Sequence, residues 1–182
     1  MPEPKPAAVV VETPPQPPPM KPVVIVPPAE DDPAKLAKDF AGASGAKAAE
    51  MLKHLRESKG ASFTKALVLG IGQLDGPRKS EAREALAERL TRMTADTLRE
   101  MLRNDEPELR RAAALACAMK DDKDHVPDLI DRLTDEDVVA RAAKAGLKSL
   151  TGQDFGPEPD ATAERRKAAA EAWRAWWAKQ KK

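Results

Sequence analysis

Cysteine is nearly missing from this chain, and aromatic side chains are scarce. Cys117 stands alone, which excludes an internal disulfide and a cysteine metal cage. It lies in AAALACAM, a run apolar on every side, and is expected to be a small buried hydrophobe rather than a nucleophile. Three Phe, three Trp and no Tyr argue against an aromatic-lined cofactor pocket, and no cofactor is expected. Long hydrophobic runs are missing too, since none reaches the roughly 18 apolar residues of a membrane span. The start MPEPKP lacks the basic and apolar regions of a signal peptide. The chain as written is therefore expected in the cytoplasm, or exported if a leader once preceded it. No charge sign dominates, with a formal net charge of +1 and 34% charged residues, so bulk charge makes no case for nucleic acid as a partner.

Recognisable catalytic motifs are missing as well. LVLGIGQLDG has the wrong spacing for GxGxxG, no GK[ST], and no strand before it. Gly70 and Gly72 are expected to serve close helix packing or a helix end. The string Asp121-Asp122-Lys123-Asp124-His125 lacks the Gly and distal Glu of a calcium loop and is read as an exposed interhelical loop. No GxSxG motif and no Cys-His pairing suggests nucleophilic catalysis. No catalytic residue and no metal ligand is assigned, and the chain is not expected to be an enzyme.

What is present is alanine, charge and punctuation. Ala-rich, aromatic-poor text with many charges favours closely packed helices. Residues 1–32 stand apart: eleven of the seventeen prolines lie there, interrupted by the apolar islands Ala7–Val11 and Val23–Val26. Such text predicts a disordered, polyproline-like linker, with docking of an island or of the prolines on a partner as the sharper alternative. Helical text starts at Pro33 behind Glu30-Asp31-Asp32, a sound helix entry. Leu36 and Phe40 face inward on the first helix, and Met51, Leu52 and Leu55 on a second that Ser44 is expected to cap. From Ala112 to Met119 there is no charge, which predicts a helix buried on nearly all sides.

The organising feature is a repeat. NDEPELRRAAALACAMK returns 30 residues later as TDEDVVARAAKAGLKSL, with Asp105 matching Asp135, Leu109 matching Val139, and Arg111 matching Arg141. A weaker copy starts at Asp75-Gly76-Pro77, where Glu81 stands in place of the arginine. Recurrence at this period in helical text predicts stacked helix pairs. The pattern resembles the HEAT-like repeat, in which a turn Asp precedes a helix carrying Arg-Ala-Ala. The ending LTGQDFGP followed by a Trp-bearing helix resembles the close of bacterial, planctomycete-type HEAT repeat proteins.

The resemblance implies an all-α, right-handed solenoid. About four pairs are expected, at 33–58, 62–92, 94–119 and 124–150, in a domain spanning 33–182. It further implies a ladder in which a turn Asp and a neighbouring Arg alternate, matched here by Asp105, Arg111, Asp135 and Arg141; Arg110 and Arg132 fall outside those positions. Some HEAT-like enzymes hold di-iron through His-Glu dipeptides, but His54 precedes Leu and His125 precedes Val. A helix over 162–179 places Trp173, Trp176 and Trp177 on one face and is expected to cap the stack. A ligand-stacking platform or a membrane-interface anchor are the alternatives for that face. Residues 121–137 carry a net −6 and residues 161–182 a net +5, read mainly as solvated faces. The expected function is a monomeric, non-catalytic scaffold or adaptor binding another protein along one face. The alternative is a small HEAT-like lyase or chaperone of a cofactor or chromophore attachment system.

Overall fold

The structure, a computed structural model, describes residues 32–180. The expectations for the proline-rich stretch lie outside the described residues, apart from Asp32. Nine α-helices and no strands occur among the described residues. In chain order they are α1 (Pro33–Gly42), α2 (Gly45–Glu57), α3 (Ala61–Ile71), α4 (Gly76–Leu90), α5 (Ala95–Met101), α6 (Pro107–Met119), α7 (Val126–Asp131), α8 (Asp137–Thr151) and α9 (Ala163–Gln180). Short 3-10 turns, Lys123–His125 and Arg132–Thr134, flank α7.

Local chemistry explains most of the boundaries. The Asp32 carboxylate accepts the Ala34 amide at 3.0 Å, and Pro33 takes the first helical position, where its missing N–H costs nothing. Prolines also open α4, α6 and α7. The Thr94 hydroxyl caps α5 by accepting the Thr97 amide at 3.2 Å. Gly152, at φ +70°, closes α8 in the left-handed conformation that lacks a Cβ penalty. Ser44 precedes α2 as expected, but its side chain makes no capping bond.

The helices form two layers. α2, α4, α6 and α8 stack side by side in one; in the other, α1 lies on α3 and α9 on α7, while α5 packs against α6. Leu67, Ile71, Leu86, Leu90, Leu98, Leu129, Leu133 and Leu147 are fully buried in the core. Each such side chain contributes about 1.5–3 kcal/mol relative to exposure. Small residues set the spacing: a Cβ on Gly146 would lie 3.2 Å from the Ala114 carbonyl oxygen and 3.3 Å from Leu129 Cδ1. A Cβ on Gly70 would fall 2.9 Å from the Phe40 ring, so this glycine serves close packing of α3 on α1, while Gly72 caps the end of α3.

Helix α6 departs from expectation. Ala112, Ala113, Ala114, Ala116 and Cys117 are buried, yet Met119 is 55% exposed and Leu115 and Ala118 are only partly covered. Arg111, Leu115, Ala118 and Met119 recur at helical spacing and form one stripe. Helices α4, α5 and α8 pack around α6, and α4 and α8 cover this stripe only in part. An uncharged run therefore contains an open face.

Candidate functional site

One contact between successive repeats of the expected Asp–Arg kind is present, and it is made by the residue next to the expected one. Arg110, buried at the start of α6, forks onto both oxygens of Asp135 at 2.9 and 2.8 Å. Its remaining nitrogen donates to the carbonyls of Asn104 and Asp105, both at 2.8 Å. One guanidinium thus ties the turn before α6 to the turn before α8, the bridging task for which a planar fork is suited. Burial alone would raise the Asp135 pKa, but hydrogen bonds from Arg110 and the Glu136 amide, with the charges of Arg110 and Arg132, bring it below its ordinary value.

Arg111 and Arg141, expected in the ladder, are outside it. Arg141 is exposed and pairs with Asp137 one turn earlier on its own helix. Arg111 has its Nη1 buried without a hydrogen bond. Asp105 enters the ladder through its carbonyl rather than its carboxylate. The reason is rotational: consecutive helical residues lie about 100° apart, so only one of two adjacent arginines can face the next turn. Two further arginines do similar work and carry no repeat signal. Arg89, buried in α4, donates to the carbonyls of Leu55, Arg56, Ser58 and Gly60 and to the Thr64 hydroxyl, clasping the α2–α3 turn. Arg166 of α9 donates to the Asp135 carbonyl at 2.7 Å and to the Asp137 carboxylate at 3.3 Å. Arg89 is legible only as a charge set between Leu86 and Leu90.

Arg111 points instead into a groove along α6, between α4 and α8. One end, about 310 Å³, is lined by Arg83, Arg111 and Arg141 with Val138. The other, about 400 Å³, has Ala118, Met119 and Gly146 as its wall and Glu84 and Glu88 on its rim. Leu115 and Ala145 line both, so the two ends are continuous. Arg83 is engaged by Glu108 through its fork at 3.0 Å, and Glu88 by Arg56 at 3.0 Å. Burial first, then the Arg83 cation, push the Arg111 pKa below its ordinary value, against the pull of Glu108 and Glu84.

Residues 64–148 match the family model of HEAT repeats. Over this stretch the stacked helices are HEAT-like repeats. The matched stretch runs from α3 almost to the end of α8 and so includes all three helices that frame the groove. No curated protein and no solved structure matches the chain.

Beyond the HEAT-like stretch, α9 lies against α7 and the turn after it. Trp173 is fully buried and donates its indole N–H to the Gly156 carbonyl at 3.1 Å. Its ring meets Phe155 edge-on at 4.9 Å and Trp176 at 5.8 Å, while Trp176 and Trp177 are partly buried against the same core. Part of the charge asymmetry is spent inside the molecule: Arg166 pairs with Asp137 and Arg174 with Asp131, joining the basic α9 to the acidic segment. His125 is not in an exposed loop. It is fully buried, neither ring nitrogen makes a hydrogen bond, and the Asp122 and Asp128 carboxylates stand 3.7 and 3.8 Å away. Among the described residues no group of three or more His, Cys, Asp or Glu is placed to hold a metal, and no helix is long and apolar enough to cross a membrane.

Proposed function

We propose that the protein is a non-catalytic scaffold that binds another protein along the face built by α4, α6 and α8. HEAT repeats commonly mediate protein interactions and are typically non-catalytic. The observation that supports this face is the open stripe on α6. Leu115, Ala118 and Met119 lie in a concave groove on a helix that carries no charge from Ala112 to Met119, and a contiguous exposed apolar patch is costly unless a partner covers it. Its shape and partly charged border agree with an interface whose core is apolar and whose rim is polar.

Site-specific photocrosslinking tests it. A photoreactive residue at Met119 or Ser149, inside the groove, is expected to capture a protein of the native lysate. The same residue at Lys65 or Glu171, on exposed positions outside the groove, is expected to capture none, and Met119→Asp is expected to abolish capture from Ser149. Equal labelling from all four positions, or capture indifferent to Met119→Asp, refutes the face.

A further inference from the structure

The groove is asymmetric, and the asymmetry specifies chemistry. At its apolar end the small residues Ala118, Ala145 and Gly146 let another backbone approach closely, with Met119 free to adapt around an apolar side chain. At its basic end the arginines differ in what already engages them. Arg83 is held by Glu108 and Arg141 by Asp137, whereas Arg111 forms no ion pair among the described residues. A carboxylate docked at this end therefore meets a guanidinium whose charge is not already engaged, and a charge-assisted pair there is stronger than a neutral hydrogen bond. From Arg111 to Met119 is eight residues of helix, about 12 Å at 1.5 Å per residue. A helix laid along α6 would span that distance with side chains at i, i+4 and i+8.

Resting on the reading of this face as the binding face, we infer that the segment received is an acidic amphipathic helix. It sets an Asp or Glu on Arg111 between Arg83 and Arg141, and places apolar side chains four and eight residues along the helix on Leu115 and Met119. The acid selects orientation, because reversing the helix would bring its carboxylate toward Glu84 and Glu88 at the other end.

The test is selection from a library of stapled helical peptides on the full-length protein. Position i is varied over Asp, Glu, Gln and Lys, and positions i+4 and i+8 over Ala, Leu, Met and Phe. Enrichment of Asp or Glu at i with a large apolar residue at i+4 and i+8 is the expected result. Affinity of the selected peptide should fall about tenfold on Arg111→Gln, equivalent to about 1.4 kcal/mol, weaken with added salt, and be lost on Met119→Asp. Arg111→Glu should reverse the preference at i to Lys, which a merely misfolded variant could not do. Retention that depends on Met119 but is indifferent to the residue at i or to Arg111 overturns the acidic partner and leaves the face standing. Retention indifferent to Met119→Asp, or no retention above that variant, overturns both. A dimer in light scattering that dissociates on Met119→Asp also overturns the inference, since the groove would then be filled by a second copy.

Discussion

Replacing Arg110 with Ala is expected to destabilise the protein by about 2–3 kcal/mol, whereas Arg111→Ala stays within about 1. Removing one member of a buried ion pair costs about 3–5 kcal/mol when the other charge is stranded. Here both side chains are only 11% exposed, so solvent screening gives little relief. Asp135 is not fully stranded, however, because Arg132 at 3.2 Å and the Glu136 amide at 2.7 Å still serve it. That places the cost at or just below the bottom of the range, even after the Asn104 and Asp105 carbonyls lose their shared donor. Arg111→Ala loses stem packing but also removes an N–H that lacks an acceptor, and these oppose each other. Urea unfolding followed by circular dichroism at 222 nm measures both. At about 2–4 °C per kcal/mol, the melting temperature should drop by about 4–12 °C for Arg110→Ala and by a few degrees at most for Arg111→Ala. A double cycle with Asp135→Ala should return a coupling of about 1–2 kcal/mol. The pH dependence has a defined sign: with its folded pKa depressed, Asp135 contributes stability that is present above the unfolded value, about 3.9, and is lost as pH falls through the folded value. The penalty for Asp135→Asn should therefore shrink below about pH 4. An Arg111→Ala cost equal to or above that of Arg110→Ala would refute the assignment.

Three further outcomes are expected. Burial pushes the Cys117 thiol up to about 12, so at pH 8 a disulfide reagent should label it only as fast as the protein unfolds; labelling at the rate of a free thiol in the native state contradicts that burial. Gly146→Val should cost about 1–3 kcal/mol, because its Cβ meets the Ala114 carbonyl and Leu129, while the same change at exposed Ala145 should cost less than half as much. All three tryptophans lie in α9, so fluorescence reports on that helix: emission should be blue-shifted, only partly quenched by iodide, and should redden together with loss of helical dichroism. Solvent-like emission from the folded protein would be inconsistent with a buried Trp173.

By itself the sequence determined the helices and their order. Pro33, Pro77 and Pro107 start helices, Thr94 caps one, and Gly152 ends one. Each acts through its own backbone or side chain within a turn or two, so no distant residue was needed to place those boundaries. The 30-residue recurrence of Asp105 at Asp135 likewise made the stacking of similar pairs legible, because one pair cannot cover its own apolar face. Tertiary structure alone decided which side chains do the work. Whether Arg110 or Arg111 faces the following turn depends on how α6 is rotated against α8, and a one-residue difference in sequence is 100° in space. Whether the apolar side of α6 is buried depends on which neighbours reach it. Helices α4, α5 and α8 cover the stripe from Arg111 to Met119 only in part, and no local pattern distinguishes a side that a neighbour closes from one left half open.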